Sequence, residues 1–309
     1  MHTALAEITL VVFTTLAPSG AMACALMALP GILGRGNARA LARLDRFLCL
    51  PLVVTMVGLV ASATHLGNPS NALYAFTGVG RSPLSTEITA AVAFLALAGL
   101  YWLYSFARQP RRGLQRAWLV AVVVSALVFI QTVARAYAVQ TIPTWNSPLV
   151  PVSLWLNALV GGPLLAAATT CWARCEHVLG VGLPGGRGAG GAALLATSTC
   201  ALAANVVVAS LQARELAGIS NALGPATRLV PAFPLMIIGF ALLAAVGIAC
   251  EARALRRLAR VPKPESVQET PAPRATDALL LAGTLAVFAG ILLLRLAFYM
   301  SHMTAGFGA

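Results

Sequence analysis

Residues 277–300 read DALLLAGTLAVFAGILLLRLAFYM. No charged side chain falls between Asp277 and Arg295. At 1.5 Å per residue a helix over this stretch rises about 36 Å, enough to cross a hydrocarbon core of about 30 Å. Seven more windows of this kind fall at about 5–33, 47–66, 84–107, 116–139, 149–173, 189–213 and 229–250. The fold class read from them is an all-α integral membrane protein: residues 1–309 form one bundle of eight transmembrane helices. Composition agrees. The 309 residues are 59% hydrophobic and only 10% charged, with a mean hydropathy of +0.84. A soluble domain carries roughly 25% charged residues because water must solvate its surface; this protein needs lipid as its solvent.

The net charge of +12 would suit a nucleic-acid binder, but its distribution excludes that class. Sixteen of the 21 basic residues lie in four alternate connections, 34–46, 108–116, 174–188 and 251–276. The positive-inside rule makes such loops cytoplasmic, which sets both termini on the outer, periplasmic side. The last of the four, 251–276, reads as a basic cytoplasmic loop, with the Pro- and Glu-rich segment PKPESVQETPAP at 262–273. No Lys or Arg precedes Arg35. The first apolar run therefore lacks the charged start of a signal peptide and reads as a membrane span.

Ionisable side chains at the edge of a membrane bundle are costly, and each is a functional hypothesis. Here they gather at the outward ends of the spans. His65 closes the second span. Arg81 precedes the third, Ser82 and Pro83 read as its N-cap and first helical residue, and Glu87 follows one turn inside. Arg135 and Tyr137 end the fourth span, Trp145 lies in the loop QTIPTWNSP (140–148), and Arg295, Tyr299 and His302 end the eighth. The outward loops 65–83 and 140–148 hold aromatics, glycines and prolines, so they are expected to fold against the bundle. An imidazole and a carboxylate flanked by arginines and hydrogen-bonding aromatics suit a lipid-soluble carrier of two electrons and two protons, such as a quinol. His65 and Glu87 are the expected catalytic acid–base pair. His65, Arg81, Glu87, Arg135, Tyr137, Arg295, Tyr299 and His302 make up the expected quinol-binding set. The plainer reading stands beside this one: the arginines snorkel to headgroups, Glu87 pairs with Arg81 or Arg135, and Trp145 and Tyr299 belong to the aromatic belt.

Redox cofactors and metals are not expected in the protein. A haem spanning a bundle takes axial histidines from facing helices. His2 is terminal, His177 lies in a basic loop, and His65 and His302 lie at helix ends. Cys171 and Cys175 lack the second pair that an iron–sulfur or zinc site requires. No metal ligand is assigned.

The blocks THLGNP (64–69), GVGRSPLSTEI (78–88), RAY with TIPTW (135–137, 141–145), GGPLL (161–165) and RLAFYMSHMT (295–304) together resemble the membrane anchor subunit of anaerobic dimethyl sulfoxide reductases, the DmsC family. The resemblance implies an eight-helix, multi-pass anchor in the bacterial inner membrane that oxidises menaquinol and holds no redox centre of its own. It implies an iron–sulfur electron-transfer subunit and a molybdopterin catalytic subunit as partners, with lipid around the bundle and no nucleic acid. The family's quinol-site histidine and acid map onto His65 and Glu87. Two other classes remain open: a small-molecule transporter, whose site would sit at the bilayer midplane, and a structural anchor without a quinol site.

Overall fold

The computed structural model describes residues 7–64, 74, 76–180, 189–222, 224–260 and 274–304. Among them, nine α-helices run in sequence order: α1 (Ile8–Leu33), α2 (Ala38–Phe47), α3 (Cys49–Ala63), α4 (Pro83–Tyr104), α5 (Arg112–Ala136), α6 (Leu149–Trp172), α7 (Ala189–Ala217), α8 (Phe233–Arg260) and α9 (Arg274–Met300). Helices α2 and α3 meet at Leu48 and together make one apolar crossing, so the described helices supply eight candidate spans. A two-residue antiparallel pair, β1 (Ser220–Asn221) with β2 (Gly224–Pro225), pins the turn between α7 and α8.

Two stretches read as basic connections are helical over part of their length. Residues 38–46 of the expected 34–46 connection lie in α2. The Asn37 side chain caps it by accepting the Ala40 N–H at 2.8 Å. Arg39, Arg43 and Arg46 recur at helical spacing on one face while Ala40 and Leu44 are buried on the other. Likewise α8 continues to Arg260, through the start of the expected 251–276 loop, and α9 already begins at Arg274. Glu251, Ala254 and Leu255 are buried there, while Arg253, Arg256, Arg257 and Arg260 keep to the other faces. A charged amphipathic turn looks like loop by hydropathy and like helix by period.

Helices α1 and α6 form the interior of the bundle, with most of their apolar windows buried. Around them, α1 packs on α3, α5 and α6, α6 on α7, α4 on α5, and α8 along α9. Close approach depends on small residues, because apolar tails give helices no hydrophobic reason to associate in lipid. At Gly247 in α8 an added Cβ would lie 2.6 Å from the Gly283 carbonyl of α9. At Gly162, in the GGPLL block, it would lie 2.6 Å from Met22 Cβ of α1. Polar side chains tie α6 to its neighbours. Asn205 Nδ2 of α7 donates to Asn157 Oδ1 at 2.7 Å, Ser153 Oγ donates to Asn205 Oδ1 at 3.2 Å, and Trp155 Nε1 donates to Gln131 Oε1 of α5 at 2.7 Å.

The arginine-bearing connections converge on one end of the bundle. Arg46 lies over the Phe106 ring at 5.4 Å, Cys175 Sγ sits 3.4 Å from the Ala40 carbonyl, and Arg174 forms a two-point ion pair with Asp277 at 3.0 and 2.7 Å. That pairing holds the Arg174 guanidinium above its ordinary pKa.

Candidate functional site

At the opposite end, the start of α4 is set by the RSPLSTE sequence. Gly80 takes a left-handed φ of 80°, which glycine adopts without a Cβ penalty. Ser82 Oγ accepts the Ser85 N–H at 3.4 Å, and Pro83 opens the helix with the fixed φ that a first turn needs. Thr86 Oγ1 donates to the Ser82 carbonyl at 2.9 Å and accepts the Gly80 N–H at 3.1 Å. This cap seats Glu87 on the inner face one turn in, where it is only 4% exposed. Its carboxylate makes no hydrogen bond and no ion pair among the described residues.

Arg295 of α9 is 1% exposed. Its Nε donates to Thr14 Oγ1 of α1 at 3.0 Å. The guanidinium lies 4.2 Å from the Phe298 ring centre, 5.4 Å from that of Tyr299 and 5.7 Å from that of Tyr137. A desolvated cation gains up to about 2 kcal/mol from such a ring face. Among the described residues no carboxylate pairs with it. Its Nη2 has no hydrogen-bond partner, and neither has the neighbouring Tyr299 hydroxyl, although Tyr137, Thr14 and Arg295 all present polar groups toward that hydroxyl.

The 140–148 loop folds down as a lid on this nest, in keeping with its composition. Trp145 is buried and stacks on Phe298 with ring centres 4.7 Å apart. Its indole N–H donates to the Phe298 carbonyl at 3.2 Å, and Thr144 Oγ1 accepts the Met303 N–H at 3.2 Å. Tyr137 meets Tyr299 edge to face at 5.8 Å and lies within electrostatic range of Glu87. Buried rings around a buried cation, with two donors left open, can hold the oxygen of a flat polar-edged ligand.

The expected site residues therefore divide. Glu87, Tyr137, Arg295 and Tyr299 are buried and gathered. Arg81 and Arg135 are exposed and line a surface depression of about 270 Å³ with Thr86 and Thr132, one helical turn outside Glu87. His302 is exposed at the rim, its ring edge-on to Trp145 at 5.0 Å. His65 lies outside the described residues. Sequence reasoning passed over Thr14 and Phe298, which fix Arg295; both sit in apolar runs where nothing local marks them. Among the described residues no group of His, Cys, Asp and Glu is arranged to hold a metal.

The fold and this end-on polar nest define a multi-pass helical membrane protein with a buried, partly unsatisfied cationic site near one face of the bundle. A family model described as the DMSO reductase anchor subunit (DmsC) matches residues 1–266, and the protein belongs to that family. It is similar to the C subunit of the anaerobic dimethyl sulfoxide reductase of Escherichia coli (strain K12), 31% identical over 88% of this sequence and 87% of the relative. The anaerobic dimethyl sulfoxide reductase subunit YnfH of the same organism is 30% identical over 81% and 79%. The corresponding C subunit of Haemophilus influenzae (strain ATCC 51907 / DSM 11121 / KW20 / Rd) is 29% identical over 77% and 81%.

Proposed function

We propose that the protein is the quinol-oxidising anchor of a dimethyl sulfoxide reductase-type complex in a bacterial inner membrane. In this reading the nest of Glu87, Tyr137, Arg295 and Tyr299 binds the quinol headgroup. The observation that carries it is a pair of buried donors, Arg295 Nη2 and the Tyr299 hydroxyl, without a hydrogen-bond partner among the described residues. A buried donor left unmade costs about 1–3 kcal/mol, and a quinol oxygen would satisfy both.

Oxidising a quinol releases two protons and two electrons. The guanidinium and the phenol would hydrogen-bond one ring oxygen and favour the charge that grows on it as its proton leaves. Glu87, close by and without a counter-ion among the described residues, would accept a proton and release it through the depression lined by Arg81 and Arg135. His65, the expected leading proton acceptor, comes from the THLGNP block, with Glu87 as the second acid–base or proton-exit group. The electrons would pass to an iron–sulfur subunit and on to a molybdopterin subunit, the partners that membership in an anchor family supports.

The test is quinol-analogue binding and quinol-driven turnover in the assembled complex, comparing wild type with Glu87→Gln and His65→Ala. Turnover is expected to fall roughly 100-fold or more in either variant, the usual range for removing a general base, with assembly intact. Unchanged turnover in both variants would move the site elsewhere and leave the protein a structural anchor.

A further inference from the structure

At the arginine-rich end the structure contains a second, unrelated cavity of about 350 Å³, bounded by the α1–α2 turn and the starts and ends of α2, α4 and α5. Its two walls differ in charge. On one side Arg112 and Arg116 stand exposed on the first turns of α5, with Gln115 between them. The N-terminus of this 25-residue helix offers its unpaired N–H groups at the same place. Arg116 lies flat against the bare backbone of Gly34, its Nη2 3.0 Å from where a Cβ would stand. On the other side Asp45 is 7% exposed. Beside it lies the fully buried Tyr101, whose hydroxyl interacts with the Asp45 carboxylate. Leu41, Leu119 and Gly31 carry the cavity on toward the apolar interior.

A buried carboxylate and two arginines lining one cavity at the ends of membrane helices match a ligand that carries both charges. We propose that this cavity holds the phosphoethanolamine headgroup of a membrane phospholipid. Arg112, Arg116, Gln115 and the α5 N-terminus take the phosphate, and Asp45 takes the ammonium. The arginines supply phosphate geometry bidentately. Asp45 repels a headgroup that is anionic throughout, so it selects the zwitterion over phosphatidylglycerol. The Leu41–Leu119 wall gives the first acyl carbons a place to lie and favours a lipid over a free anion. The site lies at the opposite end of the bundle from the proposed quinol nest and does not rest on that reading.

The test is native mass spectrometry of the full-length protein released from detergent with equal amounts of phosphatidylethanolamine and phosphatidylglycerol. Wild type is expected to retain one phosphatidylethanolamine in preference by about tenfold, the worth of one charge-assisted hydrogen bond. Asp45→Asn is expected to bind both lipids alike. Arg116→Gln, at an exposed position where folding is not at stake, is expected to lose both. Millimolar inorganic phosphate is expected to leave the lipid in place. If phosphate displaces it, the site belongs to a free anion. If Asp45→Asn still selects phosphatidylethanolamine, or Arg116→Gln retains lipid as wild type does, the proposal is wrong. It is equally overturned if the retained mass proves to be a peptide from a copurifying subunit.

Discussion

Replacing Tyr299 by Phe removes one oxygen and leaves the ring packing of the nest in place. Among the described residues that oxygen meets no partner at hydrogen-bonding geometry, though Tyr137, Thr14 and Arg295 lie around it and the residue is 1% exposed. An unsatisfied buried hydroxyl carries a desolvation cost of about 1–3 kcal/mol, so its removal should leave thermal stability unchanged or slightly raised. If the hydroxyl instead meets a quinol oxygen, the variant loses one neutral hydrogen bond, about 0.5–1.5 kcal/mol. At about 1.4 kcal/mol per decade this weakens quinol-analogue binding by roughly 2- to 12-fold. Both quantities are measured on one preparation, by titration with a fluorescent quinol analogue and by a melting curve. The expected pattern is weaker binding with an unmoved melting temperature. The reverse pattern, a melting temperature several degrees lower with unchanged affinity, would make Tyr299 a packing residue and remove it from the site.

Two further outcomes follow from the packing of the bundle. Gly247→Ala places a Cβ 2.6 Å from the Gly283 carbonyl, so α8 and α9 must separate. A destabilisation of about 1–3 kcal/mol is expected, read as a lower melting temperature of the purified protein, whereas Gly99→Ala, where the added atom meets nothing, should be silent. Asn205→Ala leaves Ser153 Oγ without its acceptor and Asn157 Oδ1 without its donor. Interhelical bonds of this kind average about 0.6 kcal/mol in membranes and reach about 1.7, so steric-trap or denaturant unfolding should show a loss in that range.

Much of this was legible in the amino-acid sequence. Eight apolar windows and alternating arginine-rich connections specify a multi-pass helical bundle, because lipid admits only elements that satisfy their own backbone. The SPLSTE signature placed the start of α4 to the residue, since Ser82 and Pro83 act locally. Helix ends bearing charge were less readable. Residues 38–47 and 251–260 are too polar for a hydropathy window yet form helix, because one face of each is buried against neighbours that sequence spacing does not reveal.

Glu87 and Arg295 could be singled out by their cost in a membrane, a property of each residue alone. That Arg295 is wrapped by Phe298, Tyr299 and Tyr137 and held by Thr14, while Arg135 at similar sequence depth faces outward, depends on the rotation of each helix about its axis. Rotation is set by how α1, α5 and α9 pack together. The same packing brings Trp145 onto Phe298 across 153 residues of sequence and leaves two donors without partners. Composition and periodicity determine which segments enter the membrane. Only side-chain contacts between distant helices decide which of their polar atoms remain unsatisfied, and those unsatisfied atoms define the candidate site.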